Sequence, residues 1–313
     1  NISQKGCEEQ ARCLFHNGLL TYRLKTLAKQ RLDTLLVNLN LCSSRQQAQA
    51  LIRTGKVAVN QQLVDKPGTE VDITATIQIK ERSRFVSRGG EKLAKALEVF
   101  GIPVAGRICL DGGISTGGFT DCLLQAGAAQ VYGIDVGYGQ ADWGLRNDPR
   151  VILKERTNLR YMTAAELYGD SGRADLAVVD VSFISLDKIL PALWELLTPP
   201  KEAVLLVKPQ FEVGRERVGK KGVVRDSATQ ADAIFQVWKA ATALGWEEWG
   251  LTWSPLLGPA GNIEYLLWLG IDREQQSEQN AVEEGVMKER IAQVTQAARR
   301  ELVNPASNLS VSE

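Results

Sequence analysis

The chain has 313 residues, 44% hydrophobic and 24% charged, with 37 Lys/Arg balanced by 37 Asp/Glu. This is the composition of a globular protein with enough apolar material for a core, and the length favours about two domains. No apolar run reaches the ~18 residues of a membrane-spanning helix, and a single histidine, His16, leaves Ser-His-Asp, Cys-His and His-rich metal sites without material.

Residues 1–28 begin with Asn and lack the long apolar core of a signal peptide; the expectation is a disordered extension. Five cysteines without CxxC spacing argue against a disulfide framework and against a zinc cluster, and fit a reducing cytoplasm. Cys109 and Cys122 sit in apolar runs and read as small buried hydrophobes. From Lys29 onward Leu32, Leu35, Leu36 and Leu39 recur at helical spacing. Ser43 or Ser44 can cap a second helix with Ala48, Leu51 and Ile52 on its apolar face, ending at Gly55. "KVAVNQQLVD" alternates as a strand, turns, and pairs with a second strand, and Lys66-Pro67-Gly68 is turn chemistry.

Residues 29–80 thus predict two helices and a small sheet. Between Lys29 and Lys92 eleven Lys/Arg face six Asp/Glu. Arg31, Arg45, Arg53 and Lys56 cluster around the helix pair, a basic face suited to a phosphate backbone or to plain solvation. The features "RLD", "SSRQQAQALIRTGKVAVNQQ" and "DKPG" resemble an S4-type RNA-binding domain, and that resemblance implies recognition of structured RNA by these four side chains.

"ERSRFVSRGGEKL" reads as a linker over 81–90 that ends in a Gly-Gly break before a helix at Glu91–Phe100. Strands and helices then alternate from "RICLD" to "GNIEYLLWLG", the pattern of a doubly wound, mostly parallel α/β sheet over 91–272. Residues 273–313 carry one amphipathic helix, about Val286–Leu302, and a polar tail.

In such a sheet ligands bind beyond the carboxyl ends of the strands, at the switch point. The loop "DGGISTGG", Asp111–Gly118, lies there, and its glycines allow close backbone approach. Neither GxxxxGK[ST] nor GxGxxG spacing occurs. Asp135, ending the next strand, suits a ribose diol, while Asp111 would pair with a cationic amino-acid head and repel a pyrophosphate. The two acids together favour S-adenosyl-L-methionine over a dinucleotide. The predicted pocket comprises Asp111, Gly113, Ser115, Gly117, Gly118 and Asp135, with Asn158 on the adenine side. Phe119 and Tyr138 fit either the pocket or ordinary packing.

Two buried runs end on polar groups, "AVVDVSF" at Asp180 and "LLVKPQF" at Lys208, which are costly unless used or paired. The ordered motifs "SRGGEKL", "DGGISTGGFTDCLLQAGAAQVYGIDVGYGQ", "ERTNLRY", "VDVSFISL", "VKPQFE", "GVVRD" and "GNIEYLL" resemble the TlyA family over about residues 30–270. The loop departs from many members at Gly112 and Ile114, where Val and Ala are common.

The resemblance implies an S4 domain joined to an FtsJ-type methyltransferase of Rossmann-like fold. It implies 2′-O-methylation of a cytidine ribose in ribosomal RNA, free or in subunits, with S-adenosyl-L-methionine as cofactor and no metal. A Lys-Asp-Lys-Glu set would line the site, supplied here by Lys92, Asp180, Lys208 and Glu264. Lys208 is then the expected base, its pKa lowered by burial and Lys92 and raised by Asp180, with Glu264 and Lys92 holding the ribose and its phosphate. S4 modules also precede pseudouridine synthases, whose largely antiparallel fold has no use for this loop. A non-catalytic RNA-binding or ribosome-assembly factor is the alternative, and the family's haemolysin label would require membrane activity.

Overall fold

The computed structural model describes residues 29–42, 44–79, 84–271 and 284–303. The expected 1–28 extension, with His16, Cys7 and Cys13, lies outside the described residues, as do Ser43 and the polar tail from 304. The chain divides into two units between residues 82 and 83.

In the first unit β1 (Lys29–Arg31) leads into α1 (Leu32–Asn38) and α2 (Arg45–Arg53), followed by β2 (Val57–Val59), β3 (Gln62–Leu63), β4 (Glu70–Asp72) and β5 (Ile77–Ile79). Strand β1 pairs with β4, while β2 sits between β3 and β5. Ser44 caps α2 through Gln47 N–H at 3.3 Å, and Gly55 leaves the helix with φ +66°. Leu32, Leu35, Leu36, Ala48, Ile52, Val57 and Val71 form the core. Leu39, expected on the same stripe, falls past the last turn and is 46% exposed.

A buried acid organises this unit. Asp33 has no exposed surface. It accepts from Arg31 Nε and Nη2 at 3.1 and 2.9 Å, from Arg45 Nε at 3.0 Å and from Gln49 Nε2 at 2.9 Å. These donors, Arg31 first, hold its carboxyl well below the usual carboxylate range.

In the second unit α3 (Gly89–Phe100) precedes β6 (Ile108–Gly112), α4 (Gly118–Gln125), β7 (Gln130–Ile134), α5 (Trp143–Arg146), β8 (Val151–Lys154) and α6 (Ala164–Tyr168). Next come β9 (Leu176–Val179), α7 (Leu190–Leu196), β10 (Glu202–Val207), α8 (Pro209–Glu212), α9 (Ser227–Thr242), β11 (Glu247–Trp253), β12 (Tyr265–Gly270) and α10 (Glu284–Leu302). One seven-stranded sheet runs β11-β12-β10-β9-β6-β7-β8. Only β12 opposes the others, pairing antiparallel with β10 and β11. The chain moves outward from β6 through β7 to β8, then returns to β9 on the other side, so β6/β9 is the switch point.

Central strands covered on both faces need continuous apolar runs, and β9 and β10 are buried at every position. Their alternation divides two cores. Ala177, Val179, Leu205 and Val207 face Leu190, Leu193, Ile234 and Val237. Leu176, Val178, Val204 and Leu206 face Leu93, Ala96, Phe119 and Leu123.

Two boundaries differ from expectation. The predicted 81–90 linker does not behave as one over its second half: Phe85 is buried in the second core. A Cβ on Gly90 would stand 2.1 Å from the Phe85 ring, so the Gly-Gly pair opens α3 and admits this side chain rather than breaking the chain. Helix α10 likewise packs into the first core through Met287, Ile291 and Ala298. The buried cysteines Cys109 and Cys122 are free, and burial pushes each thiol up to about 12.

Replacing Asp33 with Ala removes the acceptor shared by three side chains. Thermal melting of the full chain, with hydrogen exchange at α1 and α2, should show the first unit's transition lowered by roughly 5–10 °C. Because the folded-state pKa is depressed, the stabilisation from Asp33 is present above about pH 4 and is lost as pH falls further. An unchanged midpoint would mean that the apolar core alone holds the helix pair.

Candidate active site

Strand ends place the polar residues. The loop after β6 carries Gly113–Gly117, Asp180 follows β9 and Lys208 follows β10. Because β12 runs antiparallel, Glu264, just before its start, arrives at the same edge of the sheet. The first turn of α3 adds Lys92. Residues 113–116, Asp180, Lys208, Glu264 and Lys92 border one cleft of about 1520 Å³, whose wall also includes Phe119, Arg160, Ser182, Phe183 and Phe211.

The four predicted catalytic side chains form two ion pairs. Lys92 Nζ lies 2.6 Å from Glu264 Oε2, and Lys208 Nζ lies 2.6 Å from Asp180 Oδ1. Lys208 also donates to Ser182 Oγ at 2.9 Å. Each lysine has its own carboxylate, an arrangement that residue types alone leave open.

The glycine loop combines close packing with an open inner face. Gly113 has φ +87°, and a Cβ there would stand 2.5 Å from the Asp180 carbonyl oxygen. Gly117 has φ +98°, and a Cβ would meet Leu145 at 2.2 Å. Ser115 itself adopts φ +48°, and its N–H donates to Asp135 Oδ2 at 2.8 Å. Gly137 N–H donates to Asp135 Oδ1 at 2.6 Å, so one carboxylate pins the loops after both β6 and β7. Each carboxylate oxygen retains capacity for a further donor. At Gly112, one of the family departures, a Cβ would press within 2.7 Å of Leu159.

Asp111 differs from its predicted role. It is wholly buried and is absent from the cleft wall. Its Oδ2 accepts from Thr120 Oγ1 at 2.6 Å, and Oδ1 has no partner. Burial, with smaller contributions from Asp180 and Asp135, pushes its carboxyl up to about 7 against the pull of Thr120. Three carboxylates therefore converge where β6, β7 and β9 end. A cation bound beside them would relieve their repulsion, and the open loop face supplies the space. The residues present thus fit a ligand that carries a ribose and a positive charge, as S-adenosyl-L-methionine does.

The remaining candidates lie in less direct places. Gly113, Ser115 and Gly118 line the cleft, whereas Gly117, Asp135 and Asn158 stand behind or beside its wall. Asn158 is exposed and caps a single 3-10 turn through Arg160 N–H at 3.1 Å. Phe119 is both buried and cleft-lining. Tyr138 is exposed beneath the Arg156 guanidinium, 4.2 Å from its ring centroid. In the first unit Arg31 and Arg45 share Asp33 yet remain about half exposed. Arg53 is exposed at the last turn of α2, and Lys56 is half-buried just before β2.

Sequence reasoning missed Ser182, Phe183, Phe211 and Arg160, although three of these sit inside the quoted motifs "VSFISL" and "VKPQFE". Phe183 is 91% exposed with φ +67° and packs on Phe211, ring centroids 5.1 Å apart. A non-glycine residue held at positive φ with an aromatic ring in solvent is a mark of function. Among the described residues no group of three or more His, Cys, Asp or Glu side chains is arranged to hold a metal. None of the described helices is long and apolar enough to cross a membrane.

Strand order, switch-point loop and lysine–carboxylate cleft together define a methyltransferase-type α/β enzyme. Residues 85–271 match the FtsJ-like methyltransferase family, and residues 30–77 match the S4 domain. The 16S/23S rRNA (cytidine-2′-O)-methyltransferase TlyA of Mycobacterium tuberculosis is 48% identical over 260 residues, 82% of this chain and 96% of that protein. Hemolysin A of Brachyspira hyodysenteriae is 41% identical, over 75% of this chain and 98% of its own length. A solved Streptococcus thermophilus structure bearing the hemolysin label superposes with a TM-score of 0.66 at 41% identity, covering 88% of this chain and 98% of that one. The chain belongs to the TlyA family, FtsJ-like methyltransferases with an S4 domain.

Asp111 makes the fold sensitive to neutral pH. Its folded-state pKa is raised to about 7 from 3.8, so the folded protein holds the proton more tightly and its stability falls as pH rises between about 4 and 7. Glu212, raised to about 7 by burial, contributes with the same sign. Melting temperatures measured from pH 5 to 8 should decline less steeply in Asp111→Asn than in the unsubstituted protein. Parallel declines would assign the pH dependence elsewhere.

Proposed function

We propose that this protein methylates the ribose 2′-hydroxyl of a cytidine in ribosomal RNA, using S-adenosyl-L-methionine. The observation that carries this reading is the convergence of the Lys208–Asp180 and Lys92–Glu264 pairs on the cleft that the glycine loop borders. The cytidine and the ribosomal substrate are supported by the 48%-identical M. tuberculosis relative, which is named as a 16S/23S rRNA (cytidine-2′-O)-methyltransferase.

The cofactor supplies an electrophilic methyl group on a positively charged sulfur. Gly113 and Ser115 offer it backbone at close range, Asp135 a carboxylate for its ribose, and Asn158 a polar contact on the adenine side. Asp180, with Asp111 and Asp135 behind it, gives that end of the cleft the negative potential a cation requires. A ribose hydroxyl is a poor nucleophile until its proton is removed or strongly hydrogen-bonded. The Lys208 ammonium has three donors; Asp180 and Ser182 take two, and the third is directed to the 2′-oxygen. Passage of one ammonium proton to Asp180 frees the amine to take up the 2′-hydroxyl proton, so the pair acts as the base. Lys92, held by Glu264, and Arg160 on the cleft wall supply positive charge for the RNA phosphates. Phe183 presents a stacking face for an unpaired base. Arg31, Arg45, Arg53 and Lys56 of the S4 domain make the sequence-independent contacts.

Transfer of labelled methyl from S-adenosyl-L-methionine to ribosomal RNA or purified subunits tests the reaction. The expected product is a 2′-O-methylcytidine, and Lys208→Ala should lower kcat/KM by about 10²–10⁴-fold while leaving cofactor binding in place. Cofactor binding without RNA labelling would favour a binding or assembly factor on the same fold. Full activity in Lys208→Ala would remove this residue from the base role.

A further inference from the structure

Two segments carry the groups that meet in the cleft: the loop from Asp180 to Ser185 and the turn from Lys208 to Glu212. Three contacts join them near the cleft, namely the Lys208–Asp180 ion pair, the Lys208–Ser182 hydrogen bond and the Phe183–Phe211 ring contact. A fourth lies behind the cleft. Glu212, the last residue of α8, accepts from Ser185 Oγ at 2.5 Å through Oε2 and from Leu186 N–H at 3.1 Å through Oε1. Leu186 opens a 3-10 turn whose own capping residue, Ser185, makes no side-chain cap bond. The carboxylate of Glu212 caps that turn from a neighbouring strand's loop.

Glu212 does not line the cleft, although Ser185 and Phe211 do. None of the recorded ion pairs among the described residues includes it. Burying a carboxylate without a counter-cation is costly, and burial pushes this one up to about 7 while the Ser185 and Leu186 bonds pull it down. Asp187 adds a like charge next to the turn that Glu212 caps. Both hydrogen bonds run to the Asp180–Leu186 segment. That segment includes Phe183 at φ +67°, a backbone state that persists only where the surroundings hold it.

We infer that Glu212 is a positioning residue, which fastens the loop carrying Asp180, Ser182 and Phe183 to the turn carrying Lys208. Its kinetic consequence rests on the methyl-transfer reading above; its structural consequence does not. Without the clamp the loop keeps its sequence but loses its register on Lys208, and misplacement of a reacting group by about 1 Å can cost on the order of 10²-fold in rate.

Hydrogen exchange of the full-length protein decides the structural part. In Glu212→Ala the Leu186 amide should lose about tenfold or more of its protection, while β10 amides stay as they were. Ser185→Ala removes one of the two contacts and should show a smaller loss, which keeps the test open if Glu212→Ala folds poorly. Glu212→Gln retains an acceptor for Leu186 N–H and a donor for Ser185 Oγ, and should restore protection. In the methyl-transfer assay Glu212→Ala should lower kcat by about ten- to a hundredfold with the cofactor KM unchanged, and Glu212→Gln should recover most of it. Unchanged Leu186 protection in Glu212→Ala overturns the inference, as does lost protection with full kcat in an active enzyme. If the unsubstituted protein methylates no RNA, the functional proposal fails, and exchange alone still decides the clamp.

Discussion

The approach of two backbones at the switch point governs this molecule. Gly113 meets the Asp180 carbonyl so closely that a single added carbon would stand 2.5 Å from its oxygen. That contact brings the loop after β6 against the segment after β9, and it therefore couples ligand loop to reacting side chains. The register beneath it sets Gly112 opposite Val179 and Asp111 opposite Val178, with apolar residues of both strands filling the cores on either face. A one-residue slip would reverse which side chains enter each core. Hydrophobic alternation in the strands thus fixes, at a distance, where Asp180 and Lys208 emerge.

The electrostatics follow from the same geometry. Parallel strands that end together bring their terminal residues together, and here three end in acids or carry one inside. The cost falls on Asp111, which is fully buried and has one unpartnered oxygen. A fold selected for stability alone would replace it with an apolar residue or give it a cation. Its place at the end of β6 sets a buried acid at the root of the glycine loop.

The strands and most helices were legible in the chain because each depends on local pattern, whereas Lys92 and Glu264 were singled out only by the family resemblance. Buried runs that end on Asp180 and Lys208 announce themselves through period and polarity. Phe85 was not legible in the same way. Flanked by arginines and serines it reads as linker, and only the missing side chain at Gly90 reveals where its ring goes. Asp111 was expected to face the cofactor, and its side chain is buried inside the fold instead, because sequence places a residue at a strand end without saying which face of the loop will cover it. Arg31 and Arg45 were read as a basic face; their shared partner Asp33, buried two residues beyond Arg31, shows that part of their charge serves the fold. Glu212 and Phe183 carry no periodic signal at all, since their roles arise between segments about 26–28 residues apart.

The second unit holds no histidine, which leaves lysine, carboxylate, tyrosine and thiol as its proton-carrying groups, and the two lysine–carboxylate pairs are not equivalent. Glu264 is 1% and Lys92 11% exposed at the side chain, whereas Asp180 is 22% and Lys208 10% exposed. Removing one partner of a sealed pair leaves a stranded charge, which makes Lys92–Glu264 a rigid fixture between α3 and β12. The more open pair exchanges its contacts at lower cost, because solvent reaches Asp180. Rigidity on one side and access on the other set the two pairs apart: Glu264 holds Lys92 in place, and Asp180 stands open beside Lys208. The same residue types in the same order could have paired otherwise. What assigns them is β12 running against its neighbours, which delivers Glu264 to the α3 side of the cleft and leaves Asp180 for Lys208.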